Sequence, residues 1–145
     1  MMRLANDDVG KALHAVLYRR MLSFAQECTP ELPGEAFVAS WLERFYRDDG
    51  TMHILVNMDD SLNVTAHAVI DVQQAMYHYI LQCHQLQVDH PDITQVDEVV
   101  EYGRKLKAAY EAQAHTAIMT FMVTKNVKAY EQRYGFKAAR AILIG

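Results

Sequence analysis

Three histidines, His78, His84 and His90, recur at even spacing in the middle of the chain. Histidine is the side chain best suited to bind a transition metal or to carry a proton near neutral pH. On an extended strand, however, residues at this spacing lie about 20 Å apart, at ~3.3 Å per residue. One metal ion cannot bridge that distance, so the sequence predicts no metal site. His84 is a candidate proton carrier, although a strand histidine is more often packed or solvated.

Catalytic motifs of other common kinds are not found. The chain contains no GxSxG, HExxH or P-loop pattern, so serine hydrolysis, zinc proteolysis and P-loop nucleotide binding are not indicated. Stripes of Met, Tyr and Phe at strand or helix spacing indicate a packed core rather than a cofactor site.

Charge is distributed unevenly along the chain. The net charge is -4, and no Lys or Arg lies between Arg47 and Arg104, whereas ten acidic residues do. From Arg104 onward, eight basic residues face only Glu111 and Glu131. An acidic middle repels polyanions, so the sequence predicts no nucleic-acid surface there. For the same reason, the acidic middle disfavours the binding of a phosphate group.

Length and composition predict an ordinary globular protein. The 145 residues, with 51% hydrophobic and 22% charged, suffice for one domain with a buried core. The first residues have no signal-peptide pattern, and no apolar run approaches the ~18 residues of a membrane span. We therefore expect a soluble protein made in the cytoplasm. Cys28 and Cys83 lie far apart and are expected to be reduced, buried thiols.

Two helices are predicted in the first third. Asp7 and Asp8 are expected to cap a helix with an apolar stripe from Val9 to Phe24, which "TPELPG" then ends. A second helix is expected to carry an aromatic face, and Gly50 should form its left-handed C-cap. The residues of that face are Phe37, Trp41, Leu42 and Phe45.

Three strands are predicted next, as an antiparallel meander. They are "MHILVNM", "LNVTAHAVIDV" and "AMYHYILQCHQLQV". The second alternates, which predicts one buried face and one face toward solvent or a partner. The predicted buried residues are Leu62, Val64, Ala66, Ala68, Ile70 and Val72. The predicted exposed residues are Asn63, Thr65, His67 and Asp71.

The sequence pattern of the last third predicts a helix, a strand, a second helix and a second strand, in that order. Pro91 should end the meander, and Thr94 with Asp97 should form a capping box for a helix with a buried stripe from Val96 to Tyr110. "TAIMTFMV" is expected to be a strand buried on both faces, followed by a short helix and a last strand, "ARAILI". The predicted fold is a single α/β domain over residues 1–145, with a mixed sheet.

This order of elements, with Asn126 opening the short helix and Gly135-Phe136 closing it, resembles the GNAT family of acyl-CoA-dependent N-acetyltransferases. The three residues have structural uses: Asn126 as N-cap, Gly135 for a positive φ and Phe136 as an anchor for the next strand. The resemblance implies the GNAT-like fold, an antiparallel meander followed by helix, strand, helix and strand.

The resemblance also implies a cofactor loop that this chain lacks. The family places an Arg/Gln-x-x-Gly-x-Gly/Ala loop after the third strand, where backbone N–H groups bind the pyrophosphate. Here "DHPDITQVDEVVEYG" has no glycine before Gly103 and no basic residue before Arg104. Gln95 alone matches the loop's first position.

The family's proton-transfer residues are also missing. Its tyrosine, four residues before the Gly-Phe glycine, is replaced by Glu131, with Tyr130 and Tyr134 beside it. No carboxylate lies between Gln73 and Val88. We therefore expect no catalytic and no cofactor-binding residues. If the enzyme is active, the resemblance implies His84 and Tyr130 as catalytic residues and acetyl-CoA as cofactor. It then implies these cofactor-binding residues: Ile93, Thr94, Gln95, Val96 and Asn126.

Two functional hypotheses follow. In the first, this is a catalytically degenerate GNAT-fold protein, a pseudoenzyme with a structural or interaction role, similar to the GNAT-like proteins of tailed-bacteriophage virions. In the second, it is an N-acetyltransferase with a divergent cofactor loop. The first implies protein partners or a homo-oligomer, no nucleic acid and no membrane, and incorporation into a virion if the phage resemblance holds. "ARAILIG" is the candidate partner-covered strand, unless it is buried in its own sheet.

Overall fold

The computed structural model describes residues 1–4, 6–90, 92–113, 115–123 and 125–139. The strands are β1 (Met2–Arg3), β2 (Met52–Met58), β3 (Val64–Gln74), β4 (Tyr79–Val88) and β5 (Ala117–Phe121). The helices are α1 (Lys11–Cys28), α2 (Gly34–Arg47), α3 (Ile93–Ala112) and α4 (Val127–Tyr134).

The strands form one sheet in chain order, β1-β2-β3-β4-β5. The pairs from β1 to β4 are antiparallel. Short turns join β2 to β3 and β3 to β4, whereas α1 and α2 lie between β1 and β2. The pair β4–β5 is parallel, because α3 crosses over between those two strands. This mixed five-stranded α/β sheet confirms the predicted fold class.

Helices cover both faces of the sheet. On one face α1 and α2 pack against β2 and β3, in a core that includes Leu17, Val38 and Ile54. On the other face α3 packs against the same strands, through contacts that include Leu55 and Val99. Adjacent residues of β2 thus enter opposite cores, as the two-residue period of a strand requires. Both faces of the central strands are therefore covered by helices and largely buried.

The prediction for the second face of β3 is wrong for two residues. His67 is 0% exposed and Asp71 is 1% exposed, because α1 and α2 cover the face that the sequence assigned to solvent or a partner. Thr65 is half-buried, and only Asn63 is exposed. Leu62, predicted to be buried, is 77% exposed in the turn before β3, where its φ is 62°.

Three helix ends differ from the predictions. Asp7 and Asp8 lie in a 3₁₀ turn before α1 rather than capping it. The left-handed C-cap of α2 is Asp48, with φ 53°, rather than Gly50. The N-cap of α3 is Asp92 rather than Thr94. Short polar side chains compete for these positions, and tertiary packing decides where the first buried turn begins.

The C-terminal elements are partly as predicted. Gly135 ends α4 with φ 71°, as expected, while Asn126 precedes α4 with φ 60° and makes no side-chain capping bond. The strand β5 is not buried on both faces, since Ala117 is buried but Ile118 is exposed. The third strand begins at Tyr79, four residues later than predicted. The predicted last strand falls mainly on 140–145, outside the described residues.

Candidate functional site

A β-bulge in β4 sets the direction of His84. In the pairing of β3 with β4, Val69 lies opposite Gln85 and Ile70 lies opposite Cys83, so His84 is the extra residue. A bulge changes the side-chain alternation of its strand. Cys83 joins the core under α3, whereas both His84 and Gln85 contact the helices of the other face.

The bulge brings His84 to a buried carboxylate. His84 Nε2 lies 3.1 Å from Asp71 Oδ2, and Gln73 Nε2 donates to the same oxygen at 2.6 Å. Arg44 Nη2 donates to Asp71 Oδ1 at 2.6 Å. Burial by itself would raise the pKa of Asp71, but the hydrogen bonds from His84, Arg44 and Gln73 outweigh it and lower the pKa to about 2. Asp71 is therefore an ionised group that orients the His84 ring.

Aromatic rings from α2 support the imidazole. Trp41 stacks on His84 with ring centroids 4.9 Å apart, and Phe37 stacks on Trp41 at 6.1 Å. Phe37 and Trp41 lie four residues apart, which places them on the same side of a helix. The ring of His84 is thus fixed both by a carboxylate and by an indole.

These groups lie in the wall of a cavity of about 360 Å³ between α1, α2 and β4. The apolar part of the wall is supplied mainly by α1, α2 and the loop between them, with Met122 from the end of β5. Its polar part is formed around Asp71 and His84. The wall residues are Phe24, Ala25, Cys28, Thr29, Leu32, Phe37, Ser40, Trp41, Arg44, Asp71, Gln73, His84, Gln85 and Met122.

A second polar network, buried at His67 and Gln85 and exposed at Asp89, holds α1 to the sheet. Arg20 donates to both carboxylate oxygens of Asp89, at 3.0 and 2.9 Å, and its Nε lies 3.3 Å from His67 Nδ1. His67 Nε2 in turn lies 2.8 Å from Gln85 Oε1. Because burial penalises its charged form, the pKa of His67 falls to about 4. His67 is thus a neutral structural residue.

The N-terminus of α3 is where the family resemblance would put the phosphates of acetyl-CoA. There the Asp92 carboxylate accepts a hydrogen bond from Thr94 N at 3.0 Å and one from the Thr94 hydroxyl. A carboxylate in this position takes up an N–H group and the favourable end of the helix dipole. The residues present do not fit a pyrophosphate cradle.

The next acidic residues of α3 are also paired. Arg133 of α4 donates to both oxygens of Asp97, at 2.8 and 2.7 Å, and Tyr134 donates to Asp97 at 2.6 Å. The hydrogen bond from Arg133 is the main reason that the pKa of Asp97 falls to about 2. Glu98 pairs with the amino group of Met1. The first turns of α3 are therefore tied to α4 and to the chain's first residue.

The structure separates the two predicted catalytic residues. His84 lines the cavity, whereas Tyr130 lies on α4, packs near Phe121 at 6.1 Å and is not part of the cavity wall. Burial raises the pKa of Tyr130. The four predicted cofactor residues Ile93, Thr94, Gln95 and Val96 form the first turn of α3. Asn126 lies before α4, and the roles of all these residues stay predictions.

Sequence reasoning missed Asp71, Arg44 and Trp41 as a group with His84. The alternation of Asp71 with apolar residues predicts that it faces solvent or a partner. A signal was present, since His67 and Asp71 are the two titratable residues of this strand. That pattern does not tell a solvated face from one covered by helices.

Within the described ranges, no three His, Cys, Asp or Glu side chains come close enough to hold a metal ion. In the same part of the chain, none of the helices combines the length and the apolar character needed to cross a membrane. Cys28 and Cys83 are free thiols.

Comparison with solved structures identifies the fold. A predicted acetyltransferase from Clostridium acetobutylicum, solved with acetyl-CoA, matches with a TM-score of 0.62 at 11% identity, over 98% of this chain and 92% of its own. A ribosomal-protein-alanine N-acetyltransferase from Brucella melitensis matches at 0.58 and 14%, over 99% and 96%. An aminoglycoside acetyltransferase from an uncultured soil metagenomic sample matches at 0.58 and 13%, over 99% and 93%.

No protein-family model matches the sequence, and no curated protein matches it. At these identities the structural likeness establishes the fold alone. The chain has the α/β fold of the GNAT acetyltransferases.

Proposed function

We propose that this chain keeps the GNAT fold without acyl-CoA-dependent catalysis and acts as a structural or interaction protein. The observation that carries the proposal is the N-terminus of α3, where the Asp92 carboxylate accepts the Thr94 N–H. A helix N-terminus binds phosphate through N–H groups that have no other acceptor. Here the carboxylate of Asp92 occupies the position that a bound phosphate would take.

The surrounding charge supports the same conclusion. Asp92, Asp97 and Glu98 lie within the N-cap and first turns of α3, and Asp89 ends the preceding strand region. Arg133 already donates two hydrogen bonds to the carboxylate of Asp97. A diphosphate approaching this end of α3 meets several carboxylates and no glycine-rich backbone.

An exposed apolar tip supports a role in protein interactions. Met76 and Tyr77 are 85% and 84% exposed in the turn between β3 and β4. Large side chains at such exposure favour contact with another protein or another copy of this chain, since burying them is favourable. A role in a bacteriophage virion stays a prediction from the sequence.

Calorimetry with acetyl-CoA at low salt tests the proposal, because low salt favours any electrostatic attachment. We expect no saturable heat for the wild type. The double variant D92N/D97N should bind acetyl-CoA more tightly than the wild type, since it removes two carboxylates from the anion's path. The matched control E35Q/E43Q, on the far face of the sheet, should behave as the wild type. A micromolar dissociation constant for the wild type would overturn the proposal.

A second candidate function is N-acetyl transfer to an amine, and the His84–Asp71 pair in the cavity wall favours it. Asp71 holds the Nε2 side of the ring, so a neutral His84 can accept a proton from a bound amine at Nδ1. Acetyl-CoA would supply the acetyl group. Because the residues at α3 do not fit its phosphates, this function requires a different attachment for the donor.

An assay of acetyl-CoA consumption with small primary amines separates the two functions. If the second candidate holds, His84→Ala should lower the rate by roughly 10²–10⁴-fold, the usual contribution of a general base. His78→Ala, in the turn at the other end of β4, is the matched control and should retain the rate. Absence of turnover in the wild type supports the structural role.

A further inference from the structure

We infer that an open part of the sheet, on β3, β4 and β5, binds the same part of a second copy of this chain about a two-fold axis. This open face consists of Gln73, Ile80, Gln82 and Ile118, and it adjoins the apolar tip. The inference rests on the proposed interaction role and deepens it, because it names the partner and the surface.

The register of the strands places the four side chains of the open face next to one another. Ile80 lies opposite Gln73 of β3 and opposite Ile118 of β5. Gln82 lies opposite Asp71, which contacts α2, so these residues all point to the α2 side of the sheet. Three neighbouring strands at about 4.8 Å spacing make a face roughly 10 Å wide.

The two sides of the sheet differ at this end. On the α3 side, Val72, Leu81 and Ala117 are buried in one core with side chains of α3. On the α2 side, Asp71 is 1% exposed, but Gln73, two residues further along β3, is exposed. The cover that α2 provides therefore ends between these two residues.

The sequence of β5 is typical of a strand with two buried faces. "TAIMTFMV" contains only two polar residues, both threonines, and shows no alternation. Parallel pairs such as β4–β5 occur mainly where both faces of the sheet are covered. Ile118 is nevertheless 46% exposed, so one face of β5 is incompletely covered in the single chain. A partner bound there would bury Ile118 together with Ile80, which is favourable.

The absence of charge on the open face favours a second copy as the partner. No Lys, Arg, Asp or Glu occurs from Val72 to Val88 or from His115 to Val123. An acidic or basic partner would lose hydration of its charges here and gain no ion pair. The same face of a second copy brings no charge, so no like charges meet across the axis. The amides of Gln73 and Gln82 both donate and accept, so each can bond to its own copy.

The apolar tip enlarges the surface beyond the four side chains of the open face. Met76 and Tyr77, 85% and 84% exposed, are the central residues of the turn that joins β3 to β4. Two side chains of this size expose roughly 300 Å². A standard interface buries about 800 Å² on each partner, so the tip and the open face together suit a weak dimer. We expect a dissociation constant of roughly 10–100 μM.

Sedimentation of the wild type over roughly 1–500 μM tests the inference, and the expected result is a monomer that converts to a dimer. Ile118→Asp should weaken dimerisation at least tenfold, since it brings two carboxylates together across the axis. Ile93→Asp is the matched control, because Ile93 is 50% exposed at the start of α3, outside the open face, and its variant should dimerise as the wild type. Equal dimerisation of the two variants, or a monomeric wild type, would overturn the inference.

A charge-pair experiment tests the two-fold arrangement. Ile118→Lys should by itself be as monomeric as Ile118→Asp, because two like charges then meet across the axis. An equimolar mixture of the two variants should regain the dimer, because opposite charges then meet there. Recovery also demonstrates that both variants are folded. A mixture that stays monomeric, when each variant has a circular dichroism spectrum like that of the wild type, would overturn the two-fold arrangement.

The outcomes are distinct from those of the proposed function, which calorimetry with acetyl-CoA tests. A dimer that binds no acetyl-CoA upholds both. A dimer that binds acetyl-CoA with a micromolar dissociation constant upholds the interface and overturns the proposed loss of cofactor binding. A monomer that binds no acetyl-CoA overturns the interface alone.

Discussion

At the scale of single residues, two buried polar side chains on β3 differ in charge state. His67 and Asp71 lie four residues apart in the same buried layer. His67 is held neutral within a network that joins α1 to the sheet. Asp71 is held ionised by donors from α2, β3 and β4. Burial favours the neutral form of both groups, so the number and charge of the donors decide the difference.

Replacing Asp71 by Asn should destabilise the protein by roughly 2–3 kcal/mol at neutral pH, because it leaves the partly buried Arg44 without its counter-ion. Urea denaturation measures the effect. Glu43→Gln is the control, since Glu43 and Arg47 form an exposed pair at 3.6 Å whose loss should change little. Equal effects of the two substitutions would contradict the assigned role of Asp71.

The same residue predicts an acid-sensitive window. The pKa of Asp71 is lowered to about 2 in the folded protein, so its stabilisation is complete above the unfolded value of 3.8. It is lost as pH falls from about 4 toward 2. The stability difference between wild type and D71N should shrink over that range. A difference that stays constant with pH would show that folding does not lower the pKa of Asp71.

His67 predicts a second and higher window. Its pKa is lowered from 6.5 to about 4, so the unfolded chain takes up a proton before the folded protein does. Stability from this residue is complete above pH 6.5 and falls between there and about 4, by roughly 2–3 kcal/mol. His67→Gln should remove this slope. Urea denaturation of both proteins at pH 7 and pH 4.5 checks it, and parallel losses would contradict the prediction.

At the scale of elements, the start of α3 and the end of α4 are closed by different kinds of groups. Asp92 closes the start of α3 with its own carboxylate, and Asp97 links α3 to Arg133 and Tyr134 of α4. The end of α4 is set by the backbone instead. Gly135 has φ 71°, and a Cβ atom built there meets no atom within 4 Å. The requirement for glycine is therefore conformational rather than steric.

This predicts an order of stability for variants of Gly135. Gly135→Ala should cost about 1 kcal/mol, because a left-handed φ penalises an ordinary side chain. Gly135→Asn should cost less, since Asn adopts that conformation more readily. Thermal unfolding of the three proteins measures the order. If Gly135→Asn destabilises the protein as much as Gly135→Ala, a neighbouring group rather than the backbone conformation determines where α4 ends.

At the scale of the whole molecule, the sheet is covered by helices while its turns stay exposed. The apolar tip, Met76 and Tyr77, and Leu62 in the turn before β3 are the most exposed large apolar side chains among the described residues. They lie at the two ends of β3. The sequence also has an acidic middle and a basic last third, and contacts between unlike surfaces of two molecules stay a prediction from that pattern.

Self-association through the apolar tip is the corresponding prediction. Light scattering of the wild type should give a mass that rises with concentration and is retained at high salt, because apolar burial is not screened. The double variant M76S/Y77S should remain monomeric, and Leu62→Ser should behave as the wild type. If the wild type is monomeric at all concentrations, the prediction that the apolar tip mediates self-association is wrong.

The amino-acid sequence by itself determined the order and type of the described elements from α1 to α4, whereas the short strand β1 and the 3₁₀ turn after it were not predicted. The strand predicted at "MHILVNM", the helical stripe that contains Val99 and Val100, and the stop at Gly135 rest on local signals, and each was confirmed. They act within a few residues, through side-chain period and backbone φ. The fold class followed from their order.

Only the tertiary structure decided which residues meet. Whether His67 and Asp71 face water depends on α1 and α2, which are distant in the chain and leave no mark on the period of β3. The direction of His84 depends on one extra residue in the pairing of two strands. Burial and register are properties of packed elements, so the cavity and its His84–Asp71 pair exist only once those elements have met.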